Sequence, residues 1–213
     1  MKRSAPLLAA LMLSAPNAMA QQAGHVHPGP LVAQAGKEAA PGATAGRTAA
    51  VDTDALIKDA LSAAPPLIER SAKVMDWDGK VLRDGVGDYT CLPTHPDKRA
   101  SGGKEPMCLD RVWLEWGDAW MNKKPFKADA VGVAYMMSGD TGASNTDPFA
   151  TQATRDNQWI VEGPHVMVIV PDAKALDGLS TDPHAGGAYV MWKGTPYAHI
   201  MVPVGKRPAQ PGR

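Results

Sequence analysis

Two short segments near the carboxyl terminus show the same alternation of residue types. Histidine and methionine stand two apart among β-branched residues in His165-Val-Met167 and again in His199-Ile-Met201. Because alternate side chains of a β-strand share a face, the pattern predicts two strands with His and Met on one face and aliphatic residues on the other. We expect the aliphatic faces to form the core: Val166, Val168 and Val170, then Ile200, Val202 and Val204. The His/Met faces should then meet a polar pocket, a hydrogen-bonding layer or water, since burying an unpartnered imidazole costs free energy.

Helical spacing of apolar residues predicts a first helix near residue 52. The apolar positions from Leu56 to Leu61 follow a capping residue, Asp52 or Thr53, and Pro65-Pro66 ends the pattern. This helix has one apolar side and should pack on the sheet.

A second helix is predicted from Met107 to Met121. Leu109, Trp113, Trp116 and Trp120 follow one another at steps of four, three and four, which places them on one side of a helix. Three indoles in one stripe could form a ligand platform. A stripe at this spacing is more typical of core packing, and we interpret it so.

The remaining apolar runs predict a sheet of short strands. Extended segments separated by glycine-bearing turns suggest a β-meander between Lys73 and Leu92, and Ala128–Met137 has the composition of a central, buried strand. Tyr189–Trp192 predicts a further strand, and Asp172 can cap a short helix through Leu176. Since strands and helices do not alternate strictly, we expect one α+β domain over residues 51–205. It should contain a mainly antiparallel sheet packed with two to three helices. Pairing between the two His-x-Met strands is compatible with the sequence, but the sequence does not show that they are neighbours in the sheet.

The N-terminal residues have the pattern of a secretory signal peptide. Lys2 and Arg3 precede an apolar run, and Ala18-Met19-Ala20 is a cleavage site of the A-x-A type, so residues 1–20 should be removed after Ala20. This predicts a periplasmic or secreted protein. Residues 21–50 are rich in Ala, Gly and Pro and predict a disordered lead, and the basic residues 206–213 predict a disordered tail. No later stretch approaches the roughly 18 apolar residues of a membrane span, so we expect a soluble product.

Charge excludes one class of partner. The 22 Lys and Arg residues balance 22 Asp and Glu residues, and loss of the signal peptide leaves 20 against 22. A near-neutral chain with no basic run lacks the electrostatic footprint of nucleic-acid binding. We therefore expect a metal ion or a small ligand as the partner.

The two cysteines predict one disulfide bond. Cys91 and Cys108 lie 17 residues apart in a chain bound for an oxidising compartment. A reactive or metal-binding pair is the alternative. A disulfide closing a loop of this size stabilises the fold by about 3 kcal/mol if it acts through chain entropy.

The His/Met faces carry the ligand types of a soft-metal site. Two imidazoles and two thioethers, from His165, Met167, His199 and Met201, suit Cu(I), because soft sulfur and borderline nitrogen ligands select copper over Ca²⁺ or Mg²⁺. Further ligands could come from Met136 and Met191. The tripeptide resembles the His-x-Met pairs that exported copper carriers use on β-strands. We therefore expect a non-catalytic protein that binds copper through its two His-x-Met strands.

Two alternatives remain open on the sequence. Asp147 ends a Gly/Asp/Asn loop that begins at Ser138, and with His165 and His199 it would supply two imidazoles and a carboxylate for Zn²⁺ or Fe²⁺ in a metal-dependent periplasmic enzyme. The loop itself suits either an ordinary surface turn or a ligand-binding segment. In the third possibility both histidines are structural, and the protein is a module that binds a ligand or a partner.

Overall fold

A computed structural model describes residues 52–210 of the chain. Within these residues it contains four α-helices, ten β-strands and one short 3₁₀ helix. The α-helices are α1 (Thr53–Leu61), α2 (Pro66–Ser71), α3 (Pro96–Ala100) and α4 (Arg111–Met121), and the 3₁₀ helix is Ala173–Leu176. The strands are β1 (Lys73–Met75), β2 (Val81–Arg83), β3 (Thr90–Leu92), β4 (Met107–Leu109), β5 (Gly132–Met136), β6 (Ala143–Ser144), β7 (Trp159–Ile160), β8 (His165–Ile169), β9 (Tyr189–Met191) and β10 (His199–Pro203).

Eight of these strands form one large sheet in the order β2-β1-β3-β4-β5-β8-β10-β9. The β1–β3 pair is parallel and the other pairs in this sheet are antiparallel. The short strands β6 and β7 make a separate antiparallel pair. The expectation of an α+β domain with a mainly antiparallel sheet is confirmed in this broad form, with a larger sheet than the strand patterns suggest.

Side-chain caps fix where the helices begin. The Asp52 carboxylate accepts the Asp54 N–H and starts α1 as predicted. The predicted second helix starts later than expected, because Met107–Leu109 pairs with both β3 and β5 as a strand. The Asp110 carboxylate then accepts the N–H groups of Trp113 and Val133, so it caps α4 and ties that helix to β5.

The predicted disulfide is present. Cys91 on β3 and Cys108 on β4 are direct cross-strand partners, and their sulfurs are bonded. Both are fully buried in a cluster that includes Ala60 and Leu61 of α1, so this helix packs on the disulfide-bearing part of the sheet.

The aliphatic faces of the two His-x-Met strands are not the buried faces, contrary to our expectation. Along β8 the side chains of His165, Met167 and Ile169 are buried, whereas Val166 and Val168 are half-buried. Strand β10 repeats this arrangement, with His199 and Met201 buried. The physical reason is α4, whose tryptophan stripe belongs to the same core cluster as the buried methionines. That stripe is core, as predicted.

The residues expected to form a disordered tail make specific contacts as far as the structure describes them. The Gln210 side chain accepts the N–H of Val161 and donates to its carbonyl, as a neighbouring strand would. Arg207 pairs with Glu162. Polar side chains therefore hold residues 206–210 beside the segment that leads into β8. The predicted signal peptide and lead, and residues 211–213, lie outside the described residues. Among those described, no helix is long and apolar enough to cross a membrane.

Candidate functional site

Each of the two histidines faces a methionine across a strand ladder. On β5, Met136 is the direct partner of His165, and on β9, Met191 is the direct partner of His199. Directly opposed side chains have Cβ atoms about 5 Å apart, within reach of a flexible thioether. A second methionine follows each histidine two residues along its own strand, on the same buried face.

Both imidazoles make the same hydrogen bond to their own backbone. His165 Nδ1 lies 2.8 Å from the carbonyl oxygen of Gly163, and His199 Nδ1 lies 2.9 Å from that of Tyr197. A carbonyl only accepts, so each Nδ1 carries the proton and each Nε2 keeps its lone pair. Among the described residues, neither Nε2 has a hydrogen-bond partner. In both cases the histidine is the first residue of its strand, and the accepting carbonyl belongs to the residue two positions earlier.

Burial keeps both rings neutral. Desolvation lowers the pKa of His165 below its ordinary value, although the bond to Gly163 and the negative charge of Glu162 oppose the shift. Desolvation also lowers the pKa of His199 to about 4. At neutral pH each ring therefore presents an unprotonated, buried Nε2 of the kind that binds metals.

The two histidines lie at opposite ends of the shared face. His165 is the cross-strand partner of Pro203, which is four residues from His199 along β10. At about 3.4 Å per residue this offsets the two backbone positions by roughly 14 Å along the strand direction. Met167 and Met201 pair with each other between them. The strand register therefore favours two separate sites over one ion bound by both imidazoles.

The carboxylate of Asp147 lies apart from these rings. Asp147 is exposed, and its Oδ1 accepts the N–H of Phe149 at 2.9 Å in a local turn. Residues 52–210 contain no group of three or more His, Cys, Asp or Glu side chains placed to hold a metal ion. Asp147, His165 and His199 are therefore not brought together.

Indole rings surround the His199 end of the face. The His199 ring centroid is 5.2 Å from that of Trp113, 5.6 Å from Trp116 and 5.1 Å from Trp192, all nearly perpendicular. The buried N–H groups of Trp113 and Trp116 have no acceptor among the described residues. Two N–H donors and one lone pair in contacting rings are groups that a buried water could satisfy.

The His165 end is bordered by a charged group. Glu162 is 1% exposed, and its Oε1 accepts the hydroxyl of Tyr189 at 2.8 Å. The Arg207 guanidinium donates from Nε to Oε2 at 3.0 Å and from Nη2 to Oε1, which makes a two-point pair. Arg207 Nη1 donates to His184 Nδ1 at 3.3 Å. The tail is thereby fastened beside the start of β8.

Asp140 extends this network. Its Oδ1 accepts the N–H groups of Gly142 at 3.0 Å and Glu162 at 2.8 Å. Burial, reinforced by the negative charges of Glu162 and Glu105 and opposed by these two bonds, raises the pKa of Asp140 to about 7.

A cavity of about 490 Å³ opens at this end of the sheet. Its lining includes His184, Gly186, Gly187, Val204 and Arg207, together with Pro203, the cross-strand partner of His165. A second depression of about 510 Å³ contains Arg155 and shares His184 with the first. Arg207 therefore connects the cavity to buried Glu162.

Sequence reasoning missed the pairing of Glu162 with Arg207. A lone acidic residue between the ends of two buried strands, β7 and β8, is a local signal that a buried carboxylate needs a partner. The partner lies 45 residues away, so no local pattern identifies it.

No protein-family model, no curated protein and no solved structure matches the chain. The chemistry of the His/Met face is therefore the basis for a functional conclusion.

Proposed function

We propose that this chain is an exported, non-catalytic protein that binds Cu(I) at two sites on one face of its sheet. The first site consists of His165, Met136 and Met167, and the second of His199, Met191 and Met201. The observation that carries the proposal is the pair of buried Nε2 atoms without a partner among the described residues. Each histidine has one methionine opposite it in the neighbouring strand and another two residues along its own strand.

The ligand types favour a soft monovalent ion. A neutral imidazole and two thioethers add no charge to a buried site, and soft sulfur ligands select Cu(I) over hard divalent ions. Metal-bound histidines commonly donate their other ring N–H to a backbone carbonyl, which orients the ring and fixes its tautomer. His165 and His199 each make this bond, to Gly163 and Tyr197.

The two sites should differ in affinity. The negative charge of Glu162 acts on His165 and favours a cation there. At the other end, the indole N–H groups of Trp113 and Trp116 lie in rings that contact His199, and such donors disfavour a cation. We expect the His165 site to bind Cu(I) more tightly.

Export supports the choice of metal but is itself a proposal. The cleavage pattern before Gln21 predicts a mature chain that begins there. Sequencing the N-terminus of the protein recovered from the periplasm or the medium tests this. A chain that retains Met1 and stays in the cytoplasm would contradict export.

Anaerobic titration of the mature chain with Cu(I), against a chromophoric Cu(I) chelator, tests the sites. We expect two bound equivalents for the wild type and one each for Met136→Leu and Met191→Leu. A Met-to-Leu change conserves volume and costs less than about 1.5 kcal/mol, so these variants should fold. Met121→Leu is the matched control, because Met121 is 60% exposed at the end of α4. It should keep two equivalents.

Three outcomes would overturn the proposal. The first is a wild type that does not compete with the chelator, and the second is a Met121→Leu variant that loses as much copper as the other variants. The third outcome is that the purified protein retains zinc or iron and that Asp147→Ala removes it, which would favour the metal-dependent enzyme. Circular dichroism of each variant separates loss of a ligand from loss of fold.

A further inference from the structure

We propose that the cavity beside Arg207 binds a small organic carboxylate. This site is separate from the two copper sites, and it uses directed N–H donors instead of soft ligands. Its volume of about 490 Å³ lies within the range of ordinary ligand pockets, roughly 300–1,000 Å³.

Arg207 is held in place for this role. The Arg207 Nε and Nη2 groups donate hydrogen bonds to buried Glu162, and one N–H of Arg207 Nη1 donates to His184. These contacts occupy three of the five N–H donors of a guanidinium and leave one on each Nη atom. Because Glu162 is 1% exposed and also bonded to Tyr189, it fixes the plane of the guanidinium before any ligand arrives. The remaining donors match the two oxygens of a carboxylate.

The rest of the lining indicates an organic ligand. Pro183, Pro203 and Val204 supply apolar surface on which a hydrocarbon group can pack. The exposed loop at Gly186 and Gly187 has no side chains to obstruct a ligand. A bare inorganic anion would leave this apolar surface unused.

The charge balance determines how the ligand is held. Glu162 offsets the charge of Arg207, so net charge contributes little to attraction and the geometry of the donors decides binding. A carboxylate should therefore bind much better than a neutral amide of the same shape.

Titration of the ¹⁵N-labelled mature chain with benzoate, followed by NMR, tests the site. We expect saturable shifts of the Gly186, Gly187 and Gly205 amides, which border the cavity. Benzamide is the matched neutral ligand and should shift them at least tenfold more weakly. Inorganic phosphate should also bind more weakly than benzoate, since it lacks an apolar group.

The Arg207→Lys substitution removes the paired N–H donors of the guanidinium but keeps a positively charged partner for Glu162. We expect benzoate to bind about tenfold more weakly, the loss expected for one charge-assisted hydrogen bond. Arg155→Lys, in the second depression and 95% exposed, is the control and should bind as the wild type does. The amide spectrum of each variant reports whether it is folded.

The proposal fails if benzoate leaves the cavity amides unshifted, or if benzamide or phosphate binds as well as benzoate. It also fails if the folded Arg207→Lys variant binds as the wild type does. None of these results bears on copper, so the two proposals stand or fall separately.

Discussion

His199 on β10 lies directly opposite Met191 on β9, with both side chains buried on the same face of the sheet. The neighbouring ladder repeats the relationship between His165 and Met136. Because β8 and β10 run antiparallel, the two pairs stand at opposite ends of one face. The two His-x-Met strands therefore form two similar groups of side chains, each with one histidine and its own methionines.

The pH dependence of stability should show two opposing contributions. The folded pKa of His199, about 4, lies below its ordinary 6.5, so its contribution is present above pH 6.5 and is lost as pH falls towards 4. The folded pKa of Asp140, about 7, lies above its ordinary 3.8, so its contribution is full below pH 3.8 and is lost as pH rises through 7. Between pH 4 and 6.5 the two slopes have opposite signs.

Asp140→Asn should remove one of these slopes and keep both backbone hydrogen bonds, since the amide oxygen still accepts. Between pH 4 and 6.5, the free energy of unfolding of the variant should rise with pH more steeply than that of the wild type. The expected difference is about 1.4 kcal/mol per pH unit, the value for one proton. Urea denaturation at several pH values measures it. Parallel curves for the two proteins would show that Asp140 does not titrate as described.

The Glu162–Arg207 pair should be strongly asymmetric in its effect on stability. Arg207→Gln leaves a buried carboxylate without its cation and should cost about 3–5 kcal/mol. Glu162→Gln should cost less, because the partly exposed guanidinium can regain water. The double variant should lose less than the sum of the single variants, as chemical denaturation of all four proteins would show. Additive losses would mean that the pair contributes nothing as a pair.

Close packing at Gly163 should control the order of the tail. A Cβ atom there would lie 2.1 Å from the backbone oxygen of Lys206, so Gly163→Ala must displace residues 206–210. We expect faster tryptic cleavage after Lys206, the bond that precedes Arg207. Gly187→Ala is the control, because a Cβ at that position meets nothing within 4 Å. Equal cleavage rates in the two variants would contradict this account of the tail.

Local alternation predicted which side chains share a face but not which face is buried. The pattern around Val166 and Val168 indicated an aliphatic core face, as it would for most strands. The buried face is decided by what packs on it, here the tryptophan stripe of α4, and a strand's own sequence does not contain that information. The start of the first helix and the disulfide were predicted correctly from simple signals: a capping carboxylate at Asp52 and two cysteines 17 residues apart.

The sequence did not predict those parts of the site that depend on contacts between residues far apart in the chain. Met136 and Met191 could be named as further ligands from residue type alone, but only strand register places each opposite a histidine. Arg207 lies in a Pro-rich tail whose sequence predicts disorder, and its partner Glu162 is 45 residues away along the chain. Such contacts follow from the order of strands in the sheet.

X-ray absorption spectroscopy of the copper-loaded mature chain tests the two-site account most directly. With one equivalent of Cu(I), the account predicts one nitrogen and two sulfur neighbours per copper, and Met136→Leu, which keeps only the His199 site, should show the same shell. With two equivalents the average environment should stay the same, because the His199 site repeats the ligand set. A copper shell of nitrogen and oxygen without sulfur, or two nitrogens on one ion, would contradict two separate His/Met/Met sites.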